Sequence, residues 1–229
     1  WMPVISLLGC KYPEQIIYQI GFGITGLATL LFYYTFDYTI LQYIGVNVKE
    51  NEDNKDKIKT LERDVKEYKS KLSNSILFCA VGVFGQGIIT MEYEAIKYMT
   101  ELDKNIQKTM NWKPGPQSIL HQVLALVFFM SAMYHGIHSI QLYWNNDING
   151  KYIKEFKYTK YFKVIMLGFP FLFQFISFIW HPISTGNKSK DDLNMAGLTQ
   201  WLTVFAYLFY FGSYSIDFVN IKSMKLKMD

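Results

Sequence analysis

A polytopic, all-α transmembrane bundle is the fold class that this sequence predicts, and three observations predict it. Residues 16–43 are apolar and aromatic almost throughout, and a helix needs about 20 such residues to cross a hydrocarbon core roughly 30 Å thick. Charged residues make up only 18% of the 229 residues, and they crowd into short segments that leave apolar blocks between them. Lysines and arginines then fall unevenly on alternate sides of those blocks, the pattern of basic loops retained in the cytosol.

The chain reads as a single transmembrane domain that opens on a lumenal entry, residues 1–13, broken by Pro3 and Gly9. A first span covers about 14–45. Pro13 stands where a first helical turn tolerates proline, and Glu14 where the helix dipole favours a carboxylate. Residues 46–72 are the most charged stretch, and within them Ile58, Leu61, Val65, Tyr68 and Leu72 recur at heptad spacing. That stripe predicts an amphipathic cytosolic helix feeding the second span, its apolar side resting on lipid headgroups or a neighbouring loop. A dedicated partner-binding coil is the alternative, and two heptads alone make a marginal one. Further spans are expected at about 73–98, 118–144, 160–180 and 195–218, with Pro170 kinking the fourth and a cytosolic tail at 219–229. Trp112, Pro114, Gly115 and Pro116 read as turns near the interface.

Sixteen of the 23 lysines and arginines lie in the loops after the first and third spans, Lys163 included, and in the tail. The bias places residues 46–72, 145–159 and the C-terminus in the cytosol and the Trp1 end in the lumen. Asn187-Lys188-Ser189, a glycosylation acceptor pattern, falls in a loop assigned to the lumen. Five spans and a lumenal first residue that is not methionine predict one more helix upstream, six in the intact protein. Cys10 precedes the first span and Cys79 lies inside the second, so no disulfide framework is expected. A net charge of +4, with lysines set beside acids, gives nucleic-acid binding little support.

Gly21-Phe22-Gly23-Ile24-Thr25-Gly26 has the letters of a dinucleotide fingerprint but no preceding strand. Close helix packing explains it better, and the same holds for Gly82, Gly85 and Gly87. Four ionisable groups fall inside spans, toward their cytosolic ends: Asp37, His135, His138 and Asp217. His135 and His138, three apart, share a helix face. Such groups are costly in a membrane and seek a partner or a wet cavity. They could bind a metal, a proton or a lipid headgroup, but the favoured reading is that all four lie near the interface, either hydrated or pairing the first, third and fifth spans structurally. A second polar cluster gathers at the lumenal ends, from Glu14, Glu92, Glu94, His121 and His181. Carboxylates with imidazoles can run acid and base chemistry, yet helix ends collect polar residues without chemistry, and that reading is again preferred. No residue is assigned as catalytic, and no metal or cofactor is expected.

Several stretches together resemble the DRAM family, the damage-regulated autophagy modulators, within the superfamily shared with the FGF-receptor-activating and Sfk proteins. Pro3-Val4-Ile5-Ser6, Gly9 and Pro13-Glu14 are similar to the family's lumenal signature. Gly82, Gly85 and Gly87 followed by Ile88-Ile89 resemble its glycine-spaced second span, and His121 matches a histidine opening the next. Gln200-Trp201, Phe209-Tyr210-Phe211 and Asp217-Phe218 resemble its last span. Gln200 and Gln122 stand where the family carries acids, and Met91-Glu92-Tyr93 where it tends to place asparagine and phenylalanine. The resemblance implies a six-span protein of lysosomal or other endomembranes, linked to autophagy and without an established enzymatic activity. Other branches are linked to remodelling of lipid-anchored proteins and to recruiting a phosphoinositide kinase. The expectation is therefore a multi-pass protein of the lysosome, Golgi or plasma membrane, acting without catalysis through membrane lipids or a protein partner at residues 46–72. A lipid-remodelling enzyme of the GPI-anchor-processing branch and a transporter or channel are the alternatives.

Overall fold

The computed structural model describes residues 5, 9, 12–51, 54–92, 97, 115–144, 157–180 and 190–219. All regular structure among them is helical. The first rod is made of α1 (Glu14–Phe32), a π turn (Tyr33–Asp37) and α2 (Tyr38–Asn51), which follow one another without a break. Then come α3 (Lys55–Ile88), α4 (Pro116–Trp144), α5 (Lys157–Trp180) and α6 (Lys190–Gly212). A turn at Ser213 leads into a last helical stretch, 214–219. Among the described residues, three helical segments are long and apolar enough to cross a membrane: Glu14–Val46, Pro116–Trp144 and Gly197–Val219.

Apolar side chains point outward along these helices. Ile17 is 72% exposed, Leu31 65% and Leu126 60%, while Asp37, His135, Lys163 and Asp217 are buried. A protein in water would bury the first set and expose the second. The inversion is what a hydrocarbon solvent selects, since lipid solvates the outer face and the polar groups must be satisfied inside.

Small residues set the helix spacing. A Cβ on Gly82 would lie 2.8 Å from the Leu124 carbonyl oxygen and 2.7 Å from the Phe128 amide nitrogen, so α3 and α4 meet backbone to backbone there. Gly85 receives the Leu124 side chain, Gly87 packs on Phe22, and Gly26 packs on Phe84. The glycine packing expected in α3 is thus present at all three positions. In the first span only Gly26 of the six-residue motif makes a close approach, because Gly21 and Gly23 point where nothing lies within 4 Å.

One predicted boundary shifts, and one predicted packing partner changes. The second span, expected to run to residue 98, stops as a helix at Ile88, where the Ile89 amide closes the last turn on Gly85. Residues 89–92 are then held non-helically by side chains from α4, His121 and Ser118 among them. The amphipathic stretch 58–72 does not rest on headgroups or a loop. It packs against α2, the continuation of the first span: Leu61 and Leu72 share one buried cluster with Ile40, Leu41 and Ile44, and the Lys69 ammonium lies 4.8 Å from the Tyr38 ring centre. Asn54 caps α3, its side chain accepting the amides of Asp56 (3.0 Å) and Lys57 (3.3 Å). At 34 residues α3 is about 51 Å long. That exceeds the hydrocarbon thickness, so α2 and the first half of α3 form an antiparallel helical hairpin continuing past the apolar layer.

Candidate functional site: a buried ion network

The densest polar chemistry sits between α1, α4, α5 and α6, and local structure explains how each residue reaches it. Asp37 closes the π turn, where the Tyr38 amide bonds to the carbonyl of Tyr33, five residues back. The extra residue in that turn sets the direction of the carboxylate. On α4, His135, Ser139 and Tyr143 recur every four residues on one face. Tyr210 on α6 and Tyr214 and Asp217 on the stretch 214–219 fall four and then three residues apart on one face, and on α5 Thr159, Lys163 and Leu167 form the buried stripe.

These stripes meet in two joined groups. His135 places Nε2 2.9 Å from Asp37 Oδ2 and Nδ1 3.2 Å from the Tyr210 hydroxyl. The Tyr210 hydroxyl is 3.1 Å from that of Tyr214, which bonds in turn to Ser139. In the second group, Lys163 donates to Asp217 Oδ2 at 2.7 Å and to Ser213 Oγ at 2.8 Å, and Tyr143 donates to the same Asp217 oxygen at 2.7 Å. The Lys163 ammonium also lies 4.0 Å from the Tyr214 ring centre, which links the groups. Phe32, Phe211 and Tyr214 wall off His135.

Of the four intramembrane residues singled out from sequence, Asp37, His135 and Asp217 therefore converge. His138 does not: it is half-buried, edge-on to Tyr134, and hydrogen-bonds Gln141. Three residues of α-helix leave it about 60° from His135, enough to turn it out of the bundle. Lys163, counted with the basic loop on sequence grounds, lies inside the bundle with no exposed surface. Sequence reasoning missed it together with Tyr143, Tyr210 and Tyr214. The signal was present, because polar residues recurred at helical spacing inside apolar spans.

The residues expected at the other end divide differently. Glu92 accepts the amide of Gly115 and the hydroxyl of Ser118, so its carboxylate finishes the N-terminus of α4. His121 is buried on α4 and donates from Nδ1 to the Ile89 carbonyl at 2.6 Å, leaving Nε2 as an acceptor with no described partner. Gln15 reaches Thr90, and the Ile5 amide donates to Gln200. Glu14 is exposed in the first turn of α1. Glu94, His181 and Asn187 lie outside the described residues, as does Cys10; Cys79 is a buried free thiol. Among the described residues no three histidine, cysteine or acidic side chains group as a metal site.

An apolar exterior around an ion-paired interior defines an integral membrane protein of helical-bundle type. Residues 109–221 match the family model described as the Frag1/DRAM/Sfk1/Cwh43P N-terminal domain, which supports the superfamily that the sequence resembles. The matched segment carries α4, α5 and α6, and with them every member of the network except Asp37. No curated protein and no solved structure matches the chain.

Proposed function

We propose that the chain is a five-span endomembrane protein of the autophagy-modulator type, acting through lipid and protein contacts instead of catalysis. One observation supports this most: the ionisable groups of the buried network, Asp37, His135, Lys163 and Asp217, are spent on one another. A reaction centre would aim them into a cavity that admits substrate. The α2/α3 hairpin supplies the working surface, with its apolar seam closed internally and its charges outward, on the cytosolic side in the orientation that the lysine bias favours. A protein partner would dock there and membrane lipid would fill the outer grooves. Site-specific photocrosslinkers at the exposed residues Lys59, Arg63 and Lys66 test the reading in cells. Discrete protein adducts are expected there and not from crosslinkers placed at the outward-facing Leu31 or Leu126. Lipid turnover by the purified chain, abolished by His121→Asn, would contradict it.

A second reading, a lipid-remodelling enzyme, draws on His121. A buried imidazole with Nδ1 held by a carbonyl and Nε2 open is set up as a base. A transporter finds less support. His121 and His135 lie about 21 Å apart along α4, and Leu124, Phe128 and Ala132 occupy the inward positions between them.

A further inference from the structure

A groove lies between α1 and α3, near the end of the bundle where α1 begins. Its volume is about 180 Å³, and Gln19, Gly23, Phe84, Gly87 and Ile88 line it. Two glycines give it its form. A Cβ on Gly87 would lie 2.8 Å from the Phe22 Cβ and 3.7 Å from the Gly23 amide nitrogen, so the two helices meet there almost backbone to backbone. A Cβ on Gly23 would meet nothing within 4 Å, so the surface beside that contact is open. The result is a slot with a backbone floor. The Phe84 ring and the Ile88 side chain are its apolar walls, and the Gln19 carboxamide is its one polar side chain.

The slot opens onto hydrocarbon. Ile88 is 74% exposed, and Ile20 and Ile24, each next in sequence to a lining residue, are 58% and 63% exposed. Gln19 is exposed too, and its side chain makes no hydrogen bond with the described residues. An unbonded carboxamide is costly in such a medium, so the position calls for a polar atom carried by whatever fills the slot. Gln19 lies about 7.5 Å along α1 from Glu14. That is the depth at which polar lipid linkages give way to hydrocarbon.

Shape and depth select the occupant. A third helix, about 10 Å across, would rest on the rims, because α1 and α3 already touch at the floor. An ordered water needs two to four polar partners, and the slot offers one polar side chain. A fused-ring sterol is a rigid plate, broader than a floor made of two glycines. An acyl chain is slim and flexible enough to enter, and the ester carbonyl at its head accepts hydrogen bonds. We propose that the slot binds one acyl chain of a glycerophospholipid, whose ester carbonyl accepts a hydrogen bond from the Gln19 carboxamide nitrogen. The site rests on the reading that the protein works through membrane contacts, and it gives the lipid contact of that reading a defined place. Because α1 and α3 lead into the hairpin, a chain seated between them braces the two rods that carry the working surface.

The test uses the full chain in phosphatidylcholine nanodiscs doped with a phosphatidylcholine that carries a diazirine in one acyl chain, with the adducts mapped after irradiation. Adducts are expected at Phe84 and Ile88 in excess of those at Leu126, which faces lipid on α4 and reports ordinary boundary contact. Gly23→Leu puts a side chain into open space and should abolish that excess while leaving Leu126 unchanged. Gln19→Leu removes one hydrogen bond and should lower the excess about fivefold; it preserves the test if Gly23→Leu fails to fold. Labelling at the slot no higher than at Leu126, or unaltered in either folded variant, overturns the proposal. So does preferential labelling by a diazirine sterol, or a disulfide between two copies carrying Gly23→Cys, which would put a second helix over the slot. Crosslinkers at Lys59, Arg63 and Lys66 test the broader reading separately: protein adducts there without a lipid excess at the slot defeat this site alone.

Discussion

At the end of the bundle where α1 begins, polar side chains finish backbone. Glu92 takes the Gly115 amide at the start of α4, His121 and Gln117 hold the Ile89 and Thr90 carbonyls, and Gln200 takes the Ile5 amide. At the opposite end, side chains satisfy side chains: Asp37 with His135, Lys163 with Asp217, and three hydroxyls between. The first arrangement uses single hydrogen bonds at helix ends, where water is close and each bond is worth about 1 kcal/mol. The second uses ionic groups far from water, where losing one partner strands another charge. The two ends should therefore fail very differently when cut.

The largest effect is expected at Lys163. Lys163→Met leaves Asp217 buried and unpaired, which should cost about 3–5 kcal/mol in detergent-denaturation midpoints converted to free energy. Replacing both, as Lys163→Met with Asp217→Leu, should recover most of that loss; if the pair is as damaging as the single change, the charge-stranding account fails. Next comes Gly82→Ala, whose methyl would press on the backbone of α4, at a cost of about 1–3 kcal/mol by the same measurement. Glu92→Ala, at the backbone-finishing end, should cost about 1 kcal/mol, the scale of a lost helix cap. His138→Ala should stay within about 0.5 kcal/mol, because that half-buried ring bonds only Gln141 on its own helix and takes no part in the buried network. A loss there approaching that of Lys163→Met would erase the contrast drawn between inward and outward faces.

Smallest of all is the surface hairpin pair of exposed Glu67 and half-buried Lys71, 2.6 Å apart. The hydrogen bond from Lys71, with its charge, holds the Glu67 carboxyl below its ordinary value, and the bond to Glu67 raises Lys71. The Glu67 contribution is present above the ordinary carboxylate pKa and lost as pH falls through the depressed one. The Lys71 contribution is present below the ordinary ammonium pKa and lost as pH rises through the raised one. Glu67→Gln should slightly flatten the acid limb of a stability–pH profile, and added salt should remove the difference.

Much of this was legible in the sequence, for physical reasons that differ by element. Apolar length identified the helical rods, since hydropathy reports lipid contact directly. The α3 glycines announced close packing because little but a small side chain fits a backbone contact. Heptad spacing found the 58–72 stripe but not what covers it, because α2 continues the first span past the point where hydropathy drops. Asp37, His135 and Asp217 stood out as charges in apolar runs. Lys163 did not, because a lysine near a helix start reads as a loop cation until Thr159 and Leu167 are seen to share its buried face. The π turn that aims Asp37 left no trace in hydropathy, since it alters register without altering composition.

The central claim is that a buried hydrogen bond inside the bundle, Asp37 to His135, joins the first span to the segment matched by the family model. A double-mutant cycle of Asp37→Asn and His135→Gln, read as unfolding free energy in bilayer-like micelles, tests it most directly. The account predicts strong coupling, roughly 2 kcal/mol, between residues 98 positions apart. Additivity within about 0.5 kcal/mol would contradict it.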